Sequence, residues 1–353
     1  MENKIVFHLG HPAHYHLFKN TIKHLKENRY EPLIVIKKKD ILEDLVKEAG
    51  LKYYNILPER RGNSKFEMIW SIFKQSFKLL LFCFKNKPIL LLGSTPNIAH
   101  VGWLLRIKCI NLGEDDAAEI PLYANITYPF SDIILSPVSC DNSKWNYKTI
   151  AYNSYHELAY LHPNNFTPDR KIVNKYFAEG EPFFVVRFSG LNAYHDGGVK
   201  GINHEIALRL VNLLVLHGKV IITSERPLGK NLEKYRMNIN PLDIHHLLSF
   251  AKLFIGDSQT MSAEAGVLGT PFIRINDFVG KLGYLNELEN KFGLGFGLLP
   301  ENIETVFTVL TELLTKVNLE DEWKEKQILM LEQRIDFNEY LNKFILKNIT
   351  NAN

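Results

Sequence analysis

The alternation of short apolar runs with helix-length amphipathic segments is the feature that most limits how this chain can fold. Residues 5–9 form an apolar run that predicts a first strand, and the apolar residues 17, 18, 22 and 25 have the spacing of one helix face. Strands separated by helices form βαβ units, and repeated βαβ units form mostly parallel sheets. The sequence therefore predicts an α/β fold. Further apolar runs predict strands at residues 32–36, 89–92, 107–112, 133–136, 183–187, 220–223, 253–255 and 271–275.

The length of the chain predicts two domains. At 353 residues it exceeds what one ordinary core supports. The strand–helix pattern restarts after the loop at residues 162–168, so we expect one Rossmann-like, doubly wound parallel-sheet domain over residues 1–165 and a second over 166–353. A charged helical stretch from about residue 320 could cross back to brace the first domain. Two such domains facing each other leave a ligand cleft at the carboxyl ends of their strands.

Composition excludes several classes of protein. Hydrophobic residues make up 46% and charged residues 23%, as in globular proteins. A net charge of +3 gives no reason to expect nucleic acid as a partner. Cys83, Cys109 and Cys140 lack metal-ligand spacing and are expected as buried thiols in a reducing compartment. With no secretory pattern at the N-terminus, these features predict a cytoplasmic protein.

Residues 65–85 combine Trp70 and several phenylalanines with regularly placed lysines. A membrane-spanning helix needs about 20 consecutive apolar residues, and the lysines interrupt the run. Two interpretations remain: a core helix of the first domain, or a basic surface helix that dips into the inner face of an anionic membrane. The interrupting residues include Lys65, Lys74, Lys78 and Lys85.

The segment 255–274 carries the strongest chemical signal. It predicts a strand, a small polar turn, a helix, Gly-Thr-Pro and another strand. Ser258 and Thr260 lie at the helix start, where hydroxyls and unpaired amides can hold an anion. Glu264 lies further along, where a carboxylate can accept two ribose hydroxyls. The alternative is an ordinary capped helix with a solvated Glu264.

Three histidines follow the first strand in the segment Gly10-His11-Pro12-Ala13-His14-Tyr15-His16, which is expected as a loop before the first helix. Because a histidine titrates near neutrality, His11 and His14 are candidate bases towards an acceptor hydroxyl. His16 is expected to turn into the helix. A metal site lacks a third ligand of fitting spacing, and structural or phosphate-contacting histidines are the alternative.

Four carboxylates follow the predicted strand that ends at Leu112, in the segment 113–119. They are expected either as a solvated helix start that complements the helix dipole or as acids of the cleft. In the second case Glu114 and Asp115 are the next candidate general bases.

The segment 255–274 resembles the nucleotide-sugar site of glycosyltransferase-B-fold (GT-B) enzymes, and it is similar to that of the non-hydrolysing UDP-N-acetylglucosamine 2-epimerases. The chain resembles the DUF354 family more closely, through His11-Pro12-Ala13-His14-Tyr15-His16, through His156-Glu157-Leu158-Ala159-Tyr160-Leu161-His162-Pro163 and through residues 256–271. The resemblance spans nearly the whole chain and implies a GT-B-like fold.

This resemblance implies a distribution of roles, with the acceptor on the first domain and the nucleotide sugar on the second. Ser258 and Thr260 would contact the diphosphate and Glu264 the ribose, while Leu242 and Ile244 would flank the base. Other residues at strand ends complete the two sides. The nucleotide-sugar side comprises Arg187, Ser224, Leu242, Ile244, Asp257, Ser258, Thr260, Met261 and Glu264. The acceptor side comprises Gly10, His16, Ser94 and Thr95.

Three functions remain open at this stage. The first is a glycosyltransferase of polysaccharide or glycan biosynthesis, acting on a glycan or lipid-linked acceptor. The second is a nucleotide-sugar 2-epimerase, although the family's Gly-Thr-Arg-Pro-Glu and Thr-Glu-Arg-Pro-Glu runs are replaced here at residues 10–14 and 276–279. The third is a non-catalytic nucleotide-sugar-binding protein. We expect no cofactor and no metal, with a nucleotide sugar, UDP-linked by resemblance, as the substrate.

Overall fold

A computed structural model describes residues 3–39, 41–57, 65–190 and 201–350, with the backbone alone at residues 65–69. The chain divides into two compact units. Unit 1 contains the chain up to Tyr160 together with the segment from Ile335 onward, and unit 2 runs from Leu161 to Arg334. The predicted boundary between residues 165 and 166 lies five residues beyond the first of these points.

Unit 1 contains a seven-stranded sheet in which every pairing is parallel, in the order β3-β2-β1-β4-β5-β6-β7. The reversal of strand order beside β1 is typical of a doubly wound Rossmann-like sheet. Its strands are β1 (Lys4–Leu9), β2 (Glu31–Lys37), β3 (Tyr53–Leu57), β4 (Leu90–Gly93), β5 (Lys108–Leu112), β6 (Ile133–Pro137) and β7 (Thr149–Tyr152). Its helices are α1 (Pro12–Glu27), α2 (Leu42–Glu48), α3 (Lys65–Asn86), α4 (Pro96–Leu105), α5 (Pro121–Thr127) and α6 (Leu158–Leu161), where the chain leaves the unit, with 3-10 turns at Tyr128–Phe130 and Ser143–Lys148.

The C-terminal segment belongs to unit 1 through α15 (Phe337–Thr350), which packs against α1. The hydroxyl of Thr21 donates to Oδ1 of Asn338 at 3.2 Å, and that of Ser154 donates to the carbonyl of Ile335 at 2.7 Å. Of the charged helical stretch after residue 320, therefore, only α15 lies in unit 1.

Unit 2 contains a five-stranded parallel sheet in the order β12-β11-β10-β8-β9. Its strands are β8 (Phe183–Phe188), β9 (Lys219–Ser224), β10 (Leu253–Gly256), β11 (Phe272–Ile275) and β12 (Gly295–Leu298). The helices are α7 (Arg170–Val173), α8 (His204–Leu214), α9 (Lys230–Glu233), α10 (Ile244–Phe250), α11 (Gln259–Val267), α12 (Gly283–Asn286), α13 (Ile303–Thr315) and α14 (Leu319–Gln333), with a π-helical turn at Glu287–Lys291. The two units are thus both doubly wound α/β domains, as the sequence predicts.

Helix α3 has two unlike faces. Leu79 and Cys83 lie in the core of unit 1, whereas Phe73, Phe77 and Phe84 are exposed. The prediction of a core helix therefore holds for one face alone. Among the described residues, no helix is both long and apolar enough to cross a membrane.

Candidate functional site

In unit 1 the neighbouring strands β1, β2, β4 and β5 end at one edge of the sheet, and most of the predicted polar residues lie there. Gly10 follows β1, and a Cβ added to it would lie 3.2 Å from Cε of Lys37 and from Cγ2 of Thr95. A larger residue at this position would require the side chain of Lys37 or Thr95 to shift by a few tenths of an ångström. Lys37 ends β2 and was not among the residues singled out from the sequence.

The predicted histidine loop is instead the start of α1. Pro12 begins the helix because its fixed φ suits the first helical position. The ring of His11 caps the helix, with Nδ1 accepting from the amide of Ala13 at 3.3 Å. His14 lies in the first turn, and its Nδ1 accepts from the amide of Gly10 at 3.1 Å.

Burial lowers the pKa of His14 well below its usual range, and the charges of Lys37 and His156 lower it further. The same cause, burial first and Lys37 second, lowers the pKa of the buried His8 to about 3. Both imidazoles are therefore neutral at physiological pH. His16 is buried inside α1, where its ring packs against Tyr160, so the prediction that it contacts an acceptor has no support from its position.

A carboxylate–histidine pair at this edge is the most distinctive arrangement in unit 1. Nδ1 of His156 lies 2.9 Å from Oε2 of Glu114, and both side chains are partly shielded from solvent. The ring of His156 is stacked with Tyr152 and with Phe337 of α15, which fixes its orientation. Nε2 of His156 and Oε2 of Glu114 are both buried with no hydrogen-bond partner within the described ranges, so the 2.9 Å approach of the two side chains is an electrostatic contact without hydrogen-bond geometry.

The acidic segment 113–119 does not start a helix, because α5 begins only at Pro121. It is a loop held to the chain around Asp141. Oδ1 of Asp116 accepts from the amide of Asp141 at 2.9 Å, and the amide of Ala117 donates to the Asp141 carbonyl at 2.9 Å. Short acidic side chains satisfy backbone groups in this way in place of helix. Asp115 lies in the same loop, half-buried.

The side chains of Ser94 and Thr95 contact groups on the strands that neighbour β4. The hydroxyl of Ser94 donates to the carbonyl of Leu112, and Oγ1 of Thr95 lies 3.1 Å from Nδ1 of His8. Thr95 is buried. The predicted acceptor contacts of these two hydroxyls thus compete with bonds that tie β4 to its neighbours.

In unit 2 the motif at residues 255–274 forms the predicted strand–turn–helix–strand unit. Ser258 is the N-cap of α11, and its Oγ accepts from the amide of Met261 at 3.3 Å. Ser258, Thr260 and Met261 are half-exposed at the helix start. The first-turn amides and the cap hydroxyl form the kind of group that binds phosphate.

Glu264 lies one turn further along α11, and its carboxylate is buried. Oε1 of Glu264 lies 3.0 Å from Nε2 of His245, which is itself buried. His245 and His246 both lie in the first turn of α10. The solvated Glu264 of the ordinary capped-helix interpretation is therefore wrong.

Asp257 directly precedes the N-cap residue Ser258 and holds neighbouring segments in place through hydrogen bonds. Its Oδ1 accepts from the amide and the hydroxyl of Ser189, both at 2.6 Å, and its Oδ2 accepts from Nη2 of Arg226 at 3.1 Å. Burial raises the pKa of Asp257, and the bonds from Ser189 and the charge of Arg226 oppose the rise. Both oxygens of the Asp257 carboxylate already accept hydrogen bonds from the protein, which positions the loop after β8. This geometry favours a structural role for Asp257 over the predicted contact with a ligand.

Arg187 and Ser224 are likewise engaged. The guanidinium of Arg187 pairs with the carboxylate of Glu225, whose other oxygen accepts from the amide of Gly190 at 2.9 Å. The hydroxyl of Ser224 donates to the carbonyl of Arg226 at 2.7 Å, which closes a local turn. A phosphate at Arg187 would have to compete with Glu225.

Leu242 and Ile244, predicted from the sequence to flank a nucleobase, lie just before and at the first residue of α10. Both are half-exposed at the start of α10, and the amide of Leu242 donates to Oδ1 of Asn240 at 2.8 Å, which holds the turn. Residues 191–200, which include His195, lie outside the described part of the chain.

A buried polar network beneath α11 was not found from the sequence. Arg274 donates to both carboxylate oxygens of Glu289, from Nε at 2.8 Å and from Nη2 at 3.1 Å, and to Oδ1 of Asn276 at 3.0 Å. Asn276 in turn donates to the carbonyl of Asp257 at 3.1 Å. The network links the end of β11 to the turn that precedes the helix. In the described part of the chain, no three His, Cys, Asp or Glu side chains are grouped to hold a metal.

Similar solved structures define the fold class. An S. aureus MnaA structure with UDP matches with a TM-score of 0.72 at 13% identity, covering 99% of this chain and 98% of that one. UDP-GlcNAc 2-epimerase from Neisseria meningitidis, bound to UDP-GlcNAc, gives 0.63 at 13% identity over 99% and 100% of the two chains. Spinosyn forosaminyltransferase SpnP gives 0.65 at 14% identity, also over 99% and 100%. The chain has a GT-B-like fold.

The family follows from the sequence. The model of DUF354, described as a protein of unknown function, matches residues 3–283, and the chain belongs to this family. No curated protein matches the chain.

Proposed function

We propose that the protein is a glycosyltransferase that moves a sugar from a nucleotide-sugar donor to a glycan or lipid-linked acceptor. The observation that carries the proposal is the buried carboxylate of Glu264, whose Oε1 lies 3.0 Å from Nε2 of His245, one turn beyond the N-cap of α11. A buried carboxylate is costly unless it is paired. We infer that its fixed place beside the N-terminus of α11 suits one ribose and one diphosphate.

In this proposal the first-turn amides of α11 and the hydroxyls of Ser258 and Thr260 bind the diphosphate. They also stabilise the charge that develops on it as the sugar bond breaks. Leu242 and Ile244 flank the base. UDP is the proposed nucleotide, since the S. aureus and N. meningitidis structures contain UDP and UDP-GlcNAc. No cofactor is part of the proposal.

For the acceptor base we favour Glu114 over His11 and His14. Nδ1 of each histidine already accepts a hydrogen bond from a backbone amide. The strongly lowered pKa of His14 also makes its imidazole a weak base. Glu114 has a polar partner, His156, whose ring is held in place by aromatic stacking. In this scheme Glu114 takes the acceptor proton, and His156 orients the carboxylate.

A nucleotide-sugar 2-epimerase is the second candidate, because two of the three similar structures concern UDP-GlcNAc chemistry or UDP and an acid–histidine pair can remove and return a proton. Incubation with UDP-GlcNAc and no acceptor separates the candidates. An epimerase converts the donor at C2, seen by NMR, whereas a glycosyltransferase leaves C2 unchanged. A protein that binds UDP but neither converts the donor alone nor transfers its sugar when acceptors are supplied would be a binding protein.

Loss of either donor-site group should weaken nucleotide binding. We expect Ser258→Ala and Glu264→Gln each to reduce the affinity for UDP by about 1–3 kcal/mol, the range for a lost polar or charged hydrogen bond. Isothermal titration calorimetry measures the change.

The matched control is Asn203→Ala, which removes the N-cap of α8, where Oδ1 accepts from the amide of Ile206 at 2.8 Å. Both cap substitutions should cost about 1 kcal/mol of stability, but only the substitution at Ser258 should reduce affinity. Equal UDP affinities in all three variants and the wild type would place the donor site elsewhere.

A further inference from the structure

Helix α3 exposes a regular apolar stripe. Five side chains spaced by three or four residues lie along one face, with exposed fractions between 52% and 73%. We call this face the α3 stripe. A helix on a water-facing surface normally turns its apolar side to the core and its polar side to solvent. The stripe comprises Trp70, Phe73, Phe77, Leu81 and Phe84.

The opposite face of α3 carries polar residues inward. Ser71 and Gln75 are buried, and Nε2 of Gln75 donates to Oγ of Ser71 at 2.9 Å. Nδ2 of Asn97, on the adjacent helix α4, donates to the carbonyl of Ile72 at 3.1 Å and to Oγ of Ser76 at 2.9 Å. In the N-terminal half of α3, polar side chains therefore face the protein and aromatic side chains face the solvent. The inversion indicates that the outer face has an apolar partner.

The charge around the stripe identifies that partner. From residue 68 to residue 113 the chain has six Lys or Arg residues and no Asp or Glu, against a net charge of +3 for the whole protein. Lys74 and Lys85 are exposed on α3 itself, and Lys87 directly after it. Nζ of Lys74 lies 5.6 Å from the ring centroid of Trp70. Aromatic side chains flanked by lysines suit the boundary between acyl chains and anionic headgroups.

Helix α4, which packs against α3, exposes further apolar surface at Trp103 (64%) and Leu104 (57%), followed by the exposed Arg106. We propose that α3, with its apolar stripe and lysines, docks unit 1 onto the surface of an anionic lipid bilayer without crossing it. The inference rests on exposure and charge alone and is independent of the proposed function.

Sedimentation with phosphatidylglycerol-containing vesicles tests the proposal on the full-length protein. We expect binding at low ionic strength, weaker binding as salt is added because screening shortens the range of the charges, and little binding to phosphatidylcholine vesicles. Lys74→Glu with Lys78→Glu should reduce partitioning by about 30-fold or more, since each lysine near an anionic surface contributes roughly fivefold and the introduced carboxylates are repelled. Phe77→Ser with Phe84→Ser should abolish binding even at low salt.

Two matched controls separate docking from general effects. Lys23→Glu with Lys26→Glu makes the same charge change on the exposed face of α1, and Leu216→Ser with Val317→Ser removes comparably exposed apolar side chains in unit 2. Both controls should bind vesicles like the wild type, and circular dichroism should show all variants folded.

Absence of vesicle binding at low salt would overturn the proposal, as would stripe variants that bind as well as the controls. Sedimentation velocity addresses a second copy of the chain as the occupant. If the protein does not bind vesicles but forms a dimer, and the Phe77 and Phe84 substitutions dissociate that dimer, the α3 stripe is a self-association surface instead.

Discussion

Replacing Glu114 by glutamine should lower the turnover of the nucleotide sugar by about 10²–10⁴, the usual contribution of a general base. The amide keeps the size of the side chain and its contact with His156 but cannot accept the acceptor proton. The affinity for UDP should not change, because Glu114 lies in unit 1 and the proposed donor site lies in unit 2. Release of nucleoside diphosphate from the donor measures the rate, and calorimetry measures the affinity.

Glu119→Gln is the control for this substitution, since it makes the same chemical change in the same loop. It should leave turnover within a few-fold of the wild type. His14→Ala tests the alternative base. Normal turnover in Glu114→Gln combined with a large loss in His14→Ala would contradict the assignment to Glu114 and return the role to the histidine.

Breaking the buried ion pair of unit 2 should have the largest effect on stability. In Arg274→Met the carboxylate of Glu289 stays buried without its guanidinium, and Asn276 loses a donor. Removing one partner of a buried pair typically costs about 3–5 kcal/mol. Chemical denaturation, followed by a signal from unit 2, measures the free energy of unfolding.

The exposed pair of Arg209 and Glu304 supplies the comparison. Nη1 of Arg209 lies 3.1 Å from Oε1 of Glu304, but both side chains are largely in solvent. Arg209→Met should therefore cost less than about 1 kcal/mol. Similar losses of unfolding free energy in the two variants would show that the buried Arg274–Glu289 pair stabilises unit 2 no more than an exposed pair does.

The strands that the sequence predicts are those with continuous apolar runs, and all nine match structural strands to within one residue. The sequence does not predict β3, β7 and β12. These are three of the four edge strands of the two sheets, and β9 is the fourth. Edge strands are half-exposed and mix polar with apolar residues, as in Tyr53–Leu57, so they lack the signal of a buried strand.

The site was predictable at the level of segments but less so at the level of side-chain roles. Residues 255–274 form the expected strand, turn and helix because their pattern is local. The partners of the key residues are distant in sequence: His156 is 42 positions from Glu114 and His245 is 19 from Glu264. Single-sequence patterns carry no pairing information over such separations. They also cannot show that Arg187 and Asp257 are already engaged by Glu225, Ser189 and Arg226.

The central claim is that unit 2 binds a nucleotide sugar at the start of α11. A thermal-shift screen over UDP-, GDP-, CMP- and dTDP-linked sugars tests it most directly, because a ligand that binds the folded state alone raises the melting temperature. We expect one nucleotide class, with UDP as the leading candidate, to raise the melting temperature of the wild type and of Asn203→Ala by similar amounts and that of Glu264→Gln by less. No shift with any nucleotide sugar, or an equal shift in Glu264→Gln, would contradict the central claim.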